Sequence, residues 1–222
     1  MPVIPMSETT NKTPRLRITL GITGASGTPY AERLLQVLLA ADYEVHLLVS
    51  KAALMVAAVE TGTPWPAQHE KLASYLRERL GTGGELIIAG REDWMSPVAS
   101  GSGAPETMIV CPCSTGTLAS IATGQCDNLI ERGADVVLKE GGKLILVPRE
   151  TPYSEIHLAN MLTLKRAGAH IVPASPGFYH KPDTVADMVD FIVARVLKCA
   201  GIPQTLLPPW GYSGAGPEPD TD

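Results

Sequence analysis

Short apolar, β-branched runs alternate along this chain with longer segments whose apolar residues recur at helical spacing. Arg17-Ile-Thr-Leu-Gly-Ile-Thr23 predicts a strand that ends in the turn Gly24-Ala-Ser-Gly27. Pro29 suits the first turn of a helix that carries Leu34, Leu35, Leu38 and Leu39 at helical spacing. Glu44–Val49 predicts a second strand, stopped at Ser50. An Ala-rich helix follows over Lys51–Glu60, ending near Gly62 and the breaker Pro64-Trp65-Pro66. His69–Leu80 is a further helix, closed by a Gly-rich turn, and Leu86–Ala89 is a third strand.

The stretch from 90 to 105 is looser, with Trp94, Pro97 and a Ser/Gly run from Ser100. Thr107–Cys111 predicts a fourth strand halted by Pro112. Helical segments follow at about 115–123 and 127–140, then a fifth strand over Lys143–Val147. Ser154–Ala167 is helical, Ala169–Val172 is a short sixth strand, and a Pro/Gly-rich loop to Asp183 leads into a last helix over 184–200. Strands alternating with helices predict one α/β domain, a doubly wound parallel sheet with helices on both faces. The domain spans 15–201, between a polar, flexible leader at 1–14 and a Pro-rich C-terminal segment at 202–222.

Composition narrows the class. Of 222 residues, 45% are hydrophobic but only 5% aromatic, so Ala, Val, Leu and Ile must fill the core, as suits helices on a parallel sheet. The 18 Lys+Arg against 23 Asp+Glu give a net charge of -5, which excludes the broad basic field of a sequence-independent nucleic-acid binder. No apolar run approaches the roughly 20 residues of a membrane span, and the leader lacks a secretory apolar stretch. The four cysteines, at 111, 113, 126 and 199, are too few and irregular for a disulfide framework. They predict reduced thiols in a cytoplasmic protein. The five histidines show no HxxxH or HExxH pairing, so no protein-held metal is expected.

Open α/β sheets bind ligands beyond the carboxyl ends of their strands. That rule directs attention to Gly24-Ala-Ser-Gly27, Ser50, the Ser114-Thr115-Gly116-Thr117 segment, Arg149-Glu150 and Gly177-Phe-Tyr-His180. Gly24–Gly27 before a helix fits a phosphate cradle, although an ordinary strand-to-helix turn explains it equally well. Ser114–Thr117 offers hydroxyls and N–H groups at a helix start, as a plain N-cap also does. Arg132 and Lys139, seven residues apart, share a helix face that suits either a phosphate or plain solvent. Arg149 and Glu150 are more informative, because the exit of a buried strand is a costly place for idle charge. A carboxylate there moves protons while the guanidinium holds an anion.

Seven segments in order closely resemble the UbiX-type flavin prenyltransferases. They are Gly21–Gly27, Ser50-Lys51-Ala52, Cys111–Thr117, Asn128–Arg132, Asp135–Glu140, Val147–Pro152 and Pro176–His180, and the likeness runs from about 16 to Trp210. The resemblance implies a flavodoxin-like subunit that joins a dimethylallyl group to N5 and C6 of reduced FMN and releases phosphate. It implies a dimethylallyl phosphate as donor, dimethylallyl monophosphate or the diphosphate, a UbiD-type decarboxylase as recipient of the prenylated FMN, no metal, and a large homo-oligomer, commonly a dodecamer, with sites completed between subunits. Ubiquinone biosynthesis is one setting for the product. Carried over by motif, Gly24, Ala25, Ser26, Ser50, Ser114, Thr115, Gly116, Thr117 and Arg149 resemble FMN contacts. Ser100, Gly101, Arg132, Lys139, Tyr179 and Arg195 resemble the prenyl-phosphate pocket, and Trp210 resembles an aromatic that closes it. Glu60 and Glu150 resemble the acidic residues beside the reacting flavin, with Ser26 as hydrogen-bonding helper. The chain departs from the pattern at Gly141-Gly142-Lys143, where many relatives carry consecutive arginines and a proline.

Two other classes share the general fold. A flavin-dependent cysteine decarboxylase would carry a catalytic histidine and a Pro-Ala-Ser-Ala-Asn-Thr type motif, where this chain has Cys-Pro-Cys-Ser-Thr-Gly-Thr. A non-catalytic flavin carrier would have no need of Glu60, Glu150 and the phosphate-pocket cations.

Overall fold

The computed structural model describes residues 15–81 and 83–208. Six parallel strands, β1 (Arg17–Ile22), β2 (Glu44–Val49), β3 (Glu85–Ala89), β4 (Thr107–Cys113), β5 (Lys143–Pro148) and β6 (His170–Ile171), form one sheet in the order β3-β2-β1-β4-β5-β6. The order reverses between β1 and β4, which opens a crevice at their carboxyl ends. Among the described residues seven α-helices accompany the strands, six between them and the last after β6: α1 (Thr28–Ala40), α2 (Lys51–Thr61), α3 (His69–Leu80), α4 (Thr115–Ala122), α5 (Leu129–Lys139), α6 (Glu155–Arg166) and α7 (Val185–Ala200).

Strand side chains alternate between two apolar layers. Ile18, Leu20, Leu47, Ile109 and Ile145 pack with α1, α2, α3 and α7, whereas Leu48, Met108, Val110, Leu144 and Leu146 pack with α4, α5 and α6. Leu20, Leu47, Ile109 and Ile145 are fully buried, each contributing about 1.5–3 kcal/mol of burial. Both sheet faces are thus covered, which is why the strands read as continuous apolar runs. Helix starts follow the side-chain chemistry: Ser50, Ser114, Asn128, Ser154 and Thr184 each accept a backbone N–H of the helix they precede.

Strand β4 does not stop at Pro112. Pairing with β5 runs from Thr107↔Lys143 to Val110↔Leu146, shifts register, and resumes at Cys113↔Pro148. The proline lacks a donor, but its carbonyl is used across the sheet, accepting the N–H and the hydroxyl of Thr23 at 3.2 and 2.8 Å. The four cysteines are free. Burial pushes the Cys113 thiol up to about 12 and the Cys111 thiol higher still, so both are inert core groups.

The Gly141-Gly142-Lys143 departure ends α5 tightly. Gly141 takes φ 73°, and the N–H of Gly142 returns to the Val137 carbonyl at 2.9 Å. A Cβ on Gly142 would lie 2.4 Å from the Glu106 carbonyl oxygen, which is backbone and cannot yield. Lys143 then reaches across to the last turn of α7, donating to the Ala200 carbonyl at 3.2 Å. Gly142→Ala is therefore expected to lower stability by about 1–3 kcal/mol while leaving ligand affinity intact. Urea unfolding with and without ligand checks this, and an unchanged midpoint contradicts it.

Candidate functional site

A cleft of about 480 Å³ lies beyond the carboxyl ends of β1, β2 and β4, lined by Thr23, Gly24, Ser50, Ser114, Gly116 and Thr117 among others. Its floor is tied together across the switch point. Thr23, 2% exposed, donates its hydroxyl to the Pro112 carbonyl and accepts the Ser114 N–H at 2.7 Å, so the β1 and β4 exits are locked to each other. The Ser50 hydroxyl caps Ala53 at 3.1 Å, and Ser114 caps Thr117 at 3.3 Å while donating to its hydroxyl at 3.1 Å. Asn128 caps α5 through Ile130 and Glu131 at 3.0 and 3.1 Å. The amino ends of α2, α4 and α5 consequently border one cavity, whose field favours an anion.

Glycines set how closely a ligand approaches. A Cβ at Gly24 would lie 2.4 Å from the Cβ of Ala52, so only glycine lets this loop sit against the start of α2. Gly116 is different: a Cβ there would meet nothing within 4 Å. Packing does not require that glycine. It stands in the first turn of α4 facing the cleft, where a side chain would fill ligand space.

The Gly24–Gly27 turn differs from a simple phosphate cradle. The Glu60 carboxylate, from the last turn of α2, already sits at the amino end of α1. Its oxygens accept the Gly27 N–H at 3.1 Å and the Thr28 N–H at 2.7 Å. Partial burial opposes its ionisation, but hydrogen bonds from the Ser26 and Thr28 side chains and the two amides outweigh that and hold its carboxyl below the ordinary range. A phosphate on these two amides would meet a carboxylate, so the anion end of a ligand belongs at α2 and α4 instead. Ser26 sits beside Glu60 and favours its ionised form, with Ala25 buried behind the loop.

Arg149 and Glu150 leave the end of β5. The Nε of Arg149 is buried with no hydrogen-bond partner among the described residues. Glu150 accepts the Thr151 N–H at 3.0 Å, and the Thr151 hydroxyl donates to the Glu150 carbonyl at 2.8 Å. Tyr153 packs edge-on to His157 with ring centres 6.4 Å apart. Burial and then the Glu150 charge push its phenol up, against the pull of Arg149, which places all three groups in one neighbourhood.

The residues read as a prenyl-phosphate pocket fall into two groups. Arg132 donates to the Ala99 carbonyl at 3.1 Å and to Asp135 at 2.8 Å, and Lys139 pairs with Glu140. Ser100 contacts Ser102 at 3.3 Å, and the Glu140 carboxylate that pairs with Lys139 lies over Gly101, so these four share one corner. Tyr179 stacks edge-on against Phe191 at 5.9 Å and, with Arg195, lines a separate cavity of about 670 Å³ beside residues 201–208. Helices α5 and α7 pack on opposite faces of the sheet, so one chain does not bring the groups together. Trp210, the leader at 1–14 and the chain after 208 lie outside the described residues.

Lys51, Arg91, Asn128 and Glu131 also line the cleft, and none was read from the sequence as a contact residue. The missed signal at Lys51 was a cation at the start of a helix, against the usual preference.

The cleft fits a flavin phosphate. It has an anion-favouring rim, an open glycine at Gly116, and at the neighbouring β5 exit a buried guanidinium N–H with no protein acceptor. Doubly wound sheet and cleft together define the class, a flavin-binding α/β protein, and the Flavoprotein family model matches residues 6–197. The chain belongs to the UbiX flavin prenyltransferases. It is 56% identical to the flavin prenyltransferase UbiX of Pseudomonas aeruginosa over 196 residues, covering 88% of this chain and 94% of that one. It is 45% identical to the UbiX of Alkalihalophilus pseudofirmus, over 87% of this chain and 96% of that one.

Among solved structures, AnUbiX (PadA1) in complex with FMN and dimethylallyl pyrophosphate superposes with a TM-score of 0.78 at 40% identity, covering 89% of this chain and 98% of that one. A dodecameric FMN-dependent UbiX-like decarboxylase from Escherichia coli O157:H7 gives 0.76 at 42%, covering 87% and 98%. The peptidyl-cysteine decarboxylase EpiD reaches 0.52 at 16% over 82% of this chain and 98% of that one, a likeness of fold alone. Among the described residues, no helix is long and apolar enough to cross a membrane.

Proposed function

We propose that this enzyme transfers a dimethylallyl group from dimethylallyl phosphate to N5 and C6 of reduced FMN, in the cytoplasm, and passes the prenylated FMN to a UbiD-type decarboxylase. The observation that carries this reading is the Ser26–Glu60 pair. The Glu60 carboxylate accepts the Gly27 and Thr28 amides and is held below the ordinary range beside Ser26, which supports a charged role next to the reacting flavin over passive storage.

Reduced FMN supplies the nucleophilic N5 and C6. The protein's part is to bind, orient and exclude water. Gly24, Ala25, Ser50 and Ser114–Thr117 hold the flavin, and the Arg149 guanidinium donates its free N–H to it. Glu60 fixes a negative charge next to Ser26, where positive charge on the departing allyl group needs compensation. Glu150 would accept the proton that N5 loses on bonding to the allyl carbon and return it to the allyl double bond as that bond opens to C6, while the proton lost from C6 leaves with the phosphate. The donor's C–O bond breaks with its electron pair leaving on phosphate, and Arg132, Lys139 and Arg195, with the Tyr179 hydroxyl, receive that anion.

Those cations come from opposite sheet faces, so a complete phosphate pocket requires a second copy of the chain. A homo-oligomer, of the dodecameric kind, supplies it.

Anaerobic incubation with reduced FMN and dimethylallyl monophosphate or diphosphate, followed by mass spectrometry of the extracted flavin, is expected to show addition of one dimethylallyl unit. Unmodified flavin from protein that binds FMN would contradict the proposal.

A further inference from the structure

The residues matched to flavin contacts around the cleft are glycines, an alanine, serines and threonines. Arg149, their one cation, stands at the β5 exit and does not line the cavity. Hydroxyls and amides orient a phosphate but do not balance its charge. The charge has a source in two residues of the rim, Lys51 and Arg91.

Lys51 is the first residue of α2, where a cation is disfavoured by the helix field, and no acidic residue in that first turn offsets it. Arg91 follows β3, and its carbonyl accepts the Leu129 N–H at 2.8 Å, which fixes its backbone to the start of α5. Arg15, Arg33, Arg79, Arg132 and Lys139 each hold a carboxylate elsewhere in the molecule. Among the described residues neither Lys51 nor Arg91 makes an ion pair. The one acidic residue lining the cleft is Glu131, 7% exposed, and an oxygen of its carboxylate is turned to the Asp127 N–H at 2.8 Å. The rim therefore presents two uncompensated cations to a cavity already bordered by amide donors.

We propose that Lys51 and Arg91 grip the terminal phosphate of the flavin and set the preference for FMN over riboflavin. The inference rests on the flavin reading of the cleft. It makes the pair specificity residues, not catalytic ones: they act at the phosphate end, away from Ser26 and Glu60.

The test is titration of FMN and of riboflavin, followed by quenching of flavin fluorescence, into the full-length protein, Lys51→Gln, Arg91→Gln and the double variant. Wild type is expected to favour FMN. Each single variant should lose roughly tenfold in FMN affinity, with riboflavin affinity unchanged, and the double variant should lose most of the preference. The salt dependence of FMN binding should flatten in the same order. An FMN-to-riboflavin ratio unchanged in the double variant overturns the inference while leaving the flavin reading intact. Parallel loss of both flavins overturns it too, because that marks a structural role. Wild-type protein that binds neither flavin overturns the reading and the inference together.

Discussion

Glu60→Gln is expected to slow prenylation by about 100-fold or more while FMN affinity stays within about threefold of wild type. The carboxylate accepts from Gly27 and Thr28 and from the Ser26 and Thr28 side chains. Glutamine keeps the shape but turns an NH₂ toward donors and removes the charge, so Ser26 loses its fixed partner. A single-turnover time course of adduct formation measures the rate, and fluorescence quenching measures binding. A rate within threefold of wild type would show that Glu60 only caps α1.

The same substitution carries a pH signature. Because folding lowers the Glu60 pKa, its stabilisation is fully present above the ordinary carboxylate range and is lost as pH falls through its own lowered value. The difference in urea midpoint between wild type and Glu60→Gln should therefore be full at neutral pH and vanish in acid. A difference that persists unchanged below the carboxylate range contradicts the assignment of Glu60 as the ionised partner.

Arg149→Met is expected to separate stability from binding. Among the described residues the buried Nε has no acceptor, and leaving such a donor unpaired costs about 1–3 kcal/mol. Methionine occupies similar volume with no polar atom, so the ligand-free variant should unfold at the same temperature as wild type or higher. The variant cannot make the proposed hydrogen bond to flavin, and FMN affinity should fall roughly 10- to 100-fold. Thermal unfolding with and without FMN shows both effects: an equal or raised Tm alone, and little further rise on adding FMN. Undiminished FMN binding would remove Arg149 from the site.

Much of this organisation is legible in the chain. Ser50, Ser114 and Thr184 announce the helices they cap because an N-cap needs only its own side chain and the next turn. The Leu34–Leu39 pattern marks a buried helix face for the same local reason. Pro112 misled, since it lacks a donor and so reads as a strand end, yet its carbonyl serves Thr23, 89 residues away in sequence. The departure at Gly141-Gly142 was visible as a difference; its cause, the close approach of the Glu106 carbonyl, was not.

The sequence by itself determined the strand and helix order, the aliphatic double-sided core, the family, and the residue types at each strand exit. Those follow from periodicity and from motifs a few residues long. Tertiary structure alone decided which of those residues meet. It set Glu60 on the amides of α1, left the Arg149 Nε without a partner among the described residues, gathered Lys51 and Arg91 onto one rim, and split Arg132 and Lys139 from Tyr179 and Arg195. Each outcome depends on which sheet face a helix covers and how closely two backbones approach, and neither distance is written in local spacing.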